Sequence, residues 1–555
     1  MQFSISSEKS WNSKRLWKTD RQYQSRAQAG MKDKRAFARS AGLIGSLTFL
    51  SRITGYIRDM VMAYFFGATA FTDAFWIAFR IPNLLRRLFA EGSLTISFIP
   101  VFTDTLENKS KEEAKKVSDV VFTILIISVS VISILGIIFS PYIVKLFAYG
   151  FDEPTFELAV SLNRIMFPYI FFISLTALSM GVLNSLRKFF APAFSPILLN
   201  VAMIGAIFFL YNRYELPIYA AAVGVIIGGA LQLAIQLPYL KAKGFLFSFS
   251  ANFRNPAVKR IGLLIVPQLF GMAVYNLNLL VSSQYASFMQ EGTVSYLYFA
   301  ERLIEFPLGI IAVSIATVLL PSLSSYVSRG DYDNFHETYT FTLRLMLFIL
   351  IPALAGLIAL SVPICSVLYQ RGEFTHEAAV FTSQALMGYS FGIWAVGGLR
   401  VTAPAFYAMQ DTKTPVVVAF FAFLLNAALG YILGFVLDLN HTGLALANSA
   451  SSIFNFLLLI YLLERRTGEL RAGPIVRFAV LVTIISAIAA AAAWKISTYA
   501  DWAAQDLTIE KVLVLLASIS AAVLVYILLA RAFKIDESRF IFTILKRRRP
   551  PNSQD

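Results

Sequence analysis

Apolar runs of about 20 residues or more recur along almost the whole chain, and a run of that length crosses the hydrocarbon core of a bilayer as a helix. About fourteen such runs are predicted. The first six are Ala41–Gly67, Asp73–Val101, Val120–Leu146, Leu158–Leu186, Pro192–Leu210 and Ile218–Leu240. Six more are Ile261–Met289, Val294–Tyr326, Phe341–Tyr369, Ala378–Ala408, Pro415–Leu437 and Thr442–Leu463. A final pair, Pro474–Ile496 and Val512–Leu529, follows a basic loop. With 57% hydrophobic and 15% charged residues and a mean hydropathy of +0.65, the chain is not an ordinary soluble protein. An all-α polytopic membrane protein is expected.

The net charge of +15 does not point to nucleic acid. The basic residues flank the runs on alternating sides, as the positive-inside rule requires. Lys109, Lys111, Lys115, Lys116, Arg187, Lys188, the Lys241–Arg260 cluster, Arg465, Arg466, Arg471 and Lys546–Arg549 fall on one side. Only Arg213, Arg371, Lys495 and Lys511 fall on the other. Both termini are therefore expected in the cytoplasm. The polar, basic first 40 residues lack the apolar core of a signal peptide. They read as a cytoplasmic tail or as an over-long start assignment. Cys365 is the single cysteine, and His336, His376 and His441 are scattered, so no disulfide framework or metal cluster is expected.

One stretch carries too much charge for ordinary spans. Arg52, Arg58 and Asp59 lie in the first run, and Asp73, Arg80, Arg86, Arg87 and Glu91 in the second. A charged residue at the centre of a span costs roughly 2.5–3.5 kcal/mol, so several together need a wet cavity or one another. Asp73, Arg80, Arg87 and Glu91 fall close to one line down a helix, and Arg52 and Asp59 repeat the seven-residue spacing. The eighth run adds Glu301, Arg302 and Glu305, with Arg302 and Glu305 three apart on one face. Arginines that outnumber their carboxylates at membrane depth call for an anion, and the planar guanidinium fork suits phosphate oxygens. An ion lock between helices is the competing reading for Glu301 and Glu305.

The two halves also look alike. Leu183–Pro192 (LNSLRKFFAP) matches Phe406–Pro415 (FYAMQDTKTP) in spacing, polarity and closing proline. Phe98-Ile99-Pro100 lies against Leu319-Leu320-Pro321, and Asn200 against Asn426. Repeats of an even number of spans enter the membrane from the same side, which places a pseudo-two-fold along the membrane normal and a binding site between the halves.

The segments RDMVMAYFFG, TDAFWIAFRIPNLLRRLFAEG, YFAERLIEFPLGI and AMQDTKTP resemble the MurJ (MviN) family of lipid II flippases, within the multidrug/oligosaccharidyl-lipid/polysaccharide exporter superfamily. The resemblance extends from Ala41 to Leu529. It implies two six-helix lobes, 41–240 and 241–466, and a helix pair, 467–530, forming a groove for a lipid tail; polar tails, 1–40 and 531–555, flank them. It further implies that Arg52, Arg58, Arg86, Arg302, Asn83 and Ser295 bind substrate. Asp59, Asp73, Arg80, Arg87, Glu91, Glu301 and Glu305 would supply cavity charge and gating. The implied activity is movement of lipid II, an undecaprenyl-diphosphate-linked muropeptide, between leaflets of the bacterial inner membrane, by a protein that is not an enzyme and works as a monomer among membrane lipids. An exporter of another polyprenyl-linked oligosaccharide, or of small molecules, is the alternative. No GxxxxGK[ST] loop occurs, so membrane potential or a coupling cation is expected as the energy source rather than ATP or a cofactor. Asn276, Asn278 and Asn426 are candidates to hold a cation, or to hydrogen-bond between helices.

Overall fold

A computed structural model describes residues 42–86, 95–468, 472–505 and 507–539. The expected 1–40 tail, Arg87, Glu91 and most of the 531–555 tail lie outside them. Among the described residues the regular structure is all helical, with no strand. Nine helical stretches among these residues are long and apolar enough to cross a membrane.

The first half begins with α1 (residues 42–66), α2 (Ala70–Arg86), α3 (Thr95–Asn108), α4 (Lys111–Ile138) and α5 (Ser140–Phe147). It continues through α6 (Glu153–Met166), α7 (Tyr169–Ser185), α8 (Phe190–Leu210), α9 (Ile218–Ala234) and α10 (Gln236–Lys243). The second half contains α11 (Pro256–Ser287), α12 (Thr293–Arg329), α13 (Tyr332–Ala359), α14 (Ser361–Tyr369) and α15 (His376–Ser390). It closes with α16 (Ile393–Ala408), α17 (Lys413–Tyr431) and α18 (Asn440–Thr467), and α19 (Ala472–Ser497) and α20 (Ile509–Ala532) complete the chain.

Several expected spans are broken, each for a local reason. Pro141 restarts the chain as α5, Pro168 caps α7, and Gly392 caps α16. Helix α2 is described as far as Arg86, and the part of the proposed line of charge at Arg87 and Glu91 lies outside the described residues.

The repeated decapeptides form the same turn. Arg187 and Gln410, each the fifth residue, have positive φ of 56° and 60°. In each, the next residue's N–H reaches back to the first carbonyl: Lys188 to Leu183 at 2.8 Å and Asp411 to Phe406 at 2.9 Å. This is the closing bond of a Schellman-type helix stop. In the second copy, burial of Asp411 opposes its ionisation. Hydrogen bonds from Thr414 and the guanidinium of Arg466 nonetheless hold the carboxyl below its ordinary range. Asn200 on α8 bonds to Thr54 on α1, and Asn426 on α17 bonds to Asn278 on α11, so the matched asparagines stitch matched helix pairs.

The lysine-rich connections gather at one end of the molecule, the basic end. There Ser248 and Ser250 donate their backbone N–H groups to Asp119 and Thr123 of α4, strapping the 244–255 connection onto the first half. Helix α1 starts at this end and runs beside α8, Asn200 accepting from Arg58 and Phe208 packing on Phe65. Gly224 and Gly228 of α9 sit directly on α8. A Cβ at Gly224 would lie 2.8 Å from the Met203 Cα, and one at Gly228 2.9 Å from the Leu199 Cα. Their spacing serves close packing. Gly228→Val is therefore expected to cost roughly 1–3 kcal/mol by overpacking. Its thermal melt in detergent should fall below that of Gly205→Val, a position with nothing within 4 Å.

Candidate functional site

Helices α1 and α12 meet as an antiparallel seam between the two halves. Near its middle lies a network drawn from three helices. Arg58 donates to Asp59 through Nε at 3.0 Å and Nη2 at 2.7 Å. Its remaining contacts are Asn200 Oδ1 at 3.2 Å and the Tyr298 hydroxyl at 3.0 Å. Arg302 donates to the other Asp59 oxygen at 3.2 Å and to Glu305 at 2.8 Å. Tyr56 donates to the Arg302 carbonyl at 2.8 Å. Trp76 lies flat on Tyr298, ring centroids 3.6 Å apart, and walls the network off on the α2 side.

Two guanidiniums and two carboxylates thus balance. Arg58 and Asp59 are 4% and 1% exposed, whereas the Arg302 side chain is 32% exposed. The expected arginine excess is absent at Arg58, which is sealed in a dry seam by its own neighbour. Arg302 stands at the wet edge. Seven residues along α1 from Asp59, and seven along α12 from Arg302, Arg52 lies against Gly309, where a Cβ would collide with Arg52 Nη1. Among the described residues no carboxylate pairs with Arg52. Beyond it, residues 42–46 and 48–50 of α1 are exposed.

The far end is closed by reciprocal capping. Asp73 of α2 accepts from Gly292 N at 2.9 Å, Ser295 N at 2.8 Å and Ser295 Oγ at 2.6 Å, all at the N-terminus of α12. Glu291, just before α12, accepts in turn from Ala70 N at the start of α2, at 2.7 Å. Each carboxylate meets the positive end of the other half's helix. Gly292 permits the approach with φ of +87°, where a Cβ would lie 2.6 Å from the Ala68 carbonyl oxygen. The Glu373 N–H adds a bond to the Tyr64 carbonyl at 3.0 Å.

The remaining sequence candidates sit around this frame. Arg80 donates to Ser283 of α11 at 2.5 Å, and Arg86 to Asn83 within α2 at 2.8 Å. Glu301 and Arg80 both lie close to Tyr389. Asp73 and Ser295 bond to each other rather than lying among the arginines. The Asn276 side chain is outside the described residues. Sequence reasoning overlooked Tyr56, Trp76 and Tyr298, whose aromatic character reads as ordinary core.

Beside the seam an apolar groove of about 680 Å³ runs between α13, α14, α19 and α20. Among the described residues no charged side chain lines it; Phe306, Pro307, Phe348, Pro352, Ala490 and Ile519 typify its wall. Tyr56 belongs both to this wall and to the charged network.

A helical membrane protein whose halves meet along a charged seam, with an apolar groove alongside, has the build of a transmembrane transporter. The family model described as "Lipid II flippase MurJ" matches residues 62–513. A probable lipid II flippase MurJ of Vibrio cholerae is 37% identical over 486 residues, covering 84% of this chain and 90% of its own. A solved lipid II flippase MurJ in an inward closed conformation superposes with a TM-score of 0.75 at 30% identity, over 89% of this chain and 99% of that one. The chain belongs to the MurJ family. An inward-facing MATE transporter of the MOP superfamily shares the fold alone, with a TM-score of 0.60 at 15% identity over 78% of this chain and 99% of its own.

Breaking the buried pair should be costly. Asp59→Asn leaves the Arg58 charge without its counter-charge and is expected to lose about 3–5 kcal/mol. Arg302→Gln, at the wet edge, should lose much less. Denaturation of the two purified variants in detergent checks the order.

Proposed function

We propose that this protein carries lipid II from the cytoplasmic to the outer leaflet of the bacterial inner membrane by alternating access. One observation carries the reading: exposed guanidinium surface at the edge of the α1–α12 seam lies directly beside an uncharged groove, and Tyr56 belongs to both. A diphosphate joined to a polyprenyl chain has those two requirements. Its head group cannot cross hydrocarbon unaided, since polar groups there lose their hydrogen bonds.

In this reading the basic end faces the cytoplasm, by the positive-inside rule, and both termini lie there. The lobes 41–240 and 241–466 rock about the α1–α12 seam, while the 467–530 pair keeps the tail in apolar surroundings. Head-group phosphates draw Arg302 away from Asp59 and Glu305 and engage Arg52. Asp59 retains Arg58, so no charge is stranded in the dry part of the seam. Losing the Asp59–Arg302 bridge weakens the tie between halves, and the capped far end then separates. After release the carboxylates recover Arg302, which resets the inward state. The protein positions and moves its cargo without making or breaking its bonds, and it works as a monomer. Membrane potential supplies about 2.3 kcal/mol per charge per 100 mV, enough to bias the rocking.

Arg52→Ala and Arg302→Ala are expected to reach the membrane in normal amount but to cut transport at least about tenfold, the worth of a lost charged hydrogen bond. Accumulation of lipid-linked precursor in the inner leaflet of depleted cells carrying each variant checks this; normal outer-leaflet levels would sink the reading. Ala490→Trp, which fills the groove, should slow the long-chain substrate while sparing a short-chain diphosphate analogue in proteoliposomes.

A further inference from the structure

We propose that a polar pocket at the far end, between α15 and the start of α18, binds an uncharged saccharide. The site stands on its own; the flippase reading bears only on where the sugar comes from. Beyond α17 the chain makes a π-helical turn (Ile432–Val436), and Asp438 and Asn440 then take positive φ of 53° and 46° on the way into α18. That reversal places His441 in the first turn of α18 with 3% of its surface exposed. Its ring centroid lies 5.6 Å from that of Tyr296 and 5.3 Å from that of Phe381. Tyr296 follows Ser295, which donates to Asp73, so the pocket adjoins the far-end closure. His441, Gln290, Gln384 and Asp438 give the pocket polar lining, and Phe381 and Phe391 aromatic lining, around about 510 Å³.

Unfilled hydrogen-bonding groups point to a ligand. Neither ring nitrogen of His441 has a hydrogen-bonding partner among the described residues, and the Phe381 backbone beside it can engage only one of them. A buried polar group left this way costs stability unless something else fills it. No hydrogen bond between described residues occupies the Gln290 or Gln384 side chain either. The volume falls within the range of about 300–1,000 Å³ typical of small-molecule sites. Charge then narrows the ligand class. Asp438 is the one charged residue in the described lining, and it already accepts from Asn440 at 3.2 Å. With no lysine or arginine there, the pocket has nothing to grip a phosphate. One carboxylate beside one imidazole is too small a set for a metal ion, and no cluster of three such groups forms among the described residues. What fits is a neutral ligand that both donates and accepts hydrogen bonds. Side-chain amides and an imidazole match hydroxyl and acetamido groups, and the phenylalanine faces suit the C–H face of a sugar ring.

The sugar reaches this end either as the head of a carried lipid or as finished glycan, and both present N-acetylated hexosamine rings. The probe is N,N′-diacetylchitobiose, titrated onto the full-length protein in nanodiscs and followed by saturation-transfer NMR. The unaltered protein should bind it saturably. Gln384→Leu nearly keeps the volume and removes the amide; it should weaken binding at least about tenfold with an unchanged melting temperature. His441→Phe keeps a ring against Tyr296 and Phe381 and should lose affinity to a similar extent. It should melt no lower than the unaltered protein, because it removes unpartnered buried nitrogens. Absence of saturable binding would overturn the inference. So would disaccharide affinity in both variants equal to that of the unaltered protein, or tighter binding of N-acetyl-alanyl-alanine amide than of the disaccharide. Transport of lipid II and of undecaprenyl diphosphate in proteoliposomes separates the two sources. If the sugar belongs to the cargo, Gln384→Leu slows the first and spares the second; if it belongs to glycan, both rates hold while disaccharide binding is lost. Failure of the unaltered protein to move either lipid sinks the flippase reading and leaves the disaccharide result standing.

Discussion

The Asp59 carboxylate, shared between Arg58 of its own helix and Arg302 of the other half, is the contact on which the arrangement of the site depends. Burying a carboxylate at membrane depth is tolerable only when its lone pairs are filled by donors of opposite charge. Arg58 fills one oxygen with two N–H groups, and Arg302 fills the other. The first contact is local and survives any movement of the halves. The second exists only while they touch. The seam therefore has a charge-dependent term that an arriving anion can cancel without leaving an isolated ion in hydrocarbon. A purely apolar seam would offer no such handle.

The far end works by a different kind of force. Asp73 and Glu291 each meet the N-terminal peptide groups of a helix from the opposite half. Such caps satisfy backbone donors that would otherwise be exposed, at about 1 kcal/mol each. In the proposed cycle they close the end and yield when the bridge deeper in the seam is lost. Ser295, spent entirely on Asp73, belongs to this closure in the present state. The same chain thus grades from reciprocal caps, through a dry ion pair, to a wet guanidinium edge over the length of α1.

Much of this was legible in sequence and part was not, for physical reasons. The apolar runs gave the helices, and the positive φ at Arg187 and Gln410 is written into two decapeptides that end their helices alike. The Arg52–Asp59 spacing put both on one face, because seven residues return a helix to nearly the same side, and that face meets α12. The Arg58–Asp59 pair was hidden, since adjacent residues on a helix do not face each other. It forms only because the long arginine side chain is folded back between Asn200 and Tyr298, contacts more than 140 positions away in the chain. Asp73 read as cavity charge because a carboxylate in an apolar run normally needs water or a cation. A helix N-terminus from a distant segment satisfies it equally well, and no local pattern announces that partner. Trp76 and Tyr298 look like core on either reading, and only the register of α2 against α12 makes them the wall of the network.

In the proposed reading, head and tail recognition meet on one turn of α12. Arg302 holds the charged edge of the seam, while Leu303, Phe306 and Pro307 line the apolar groove. Pro307 has no N–H to return to the Leu303 carbonyl, which removes one rung of the helix at this level. Proline is also where long helices bend. A segment less firmly bonded than its surroundings is therefore placed between the two binding surfaces. Tyr56 crosses from the groove to the Arg302 carbonyl, so displacement of that turn by a tail on one side is felt by the guanidinium on the other. Under the proposed function, a transporter that must not open for an anion without a tail, nor for a tail without an anion, needs its two recognition surfaces to share a backbone, and residues 302–307 would provide that shared element.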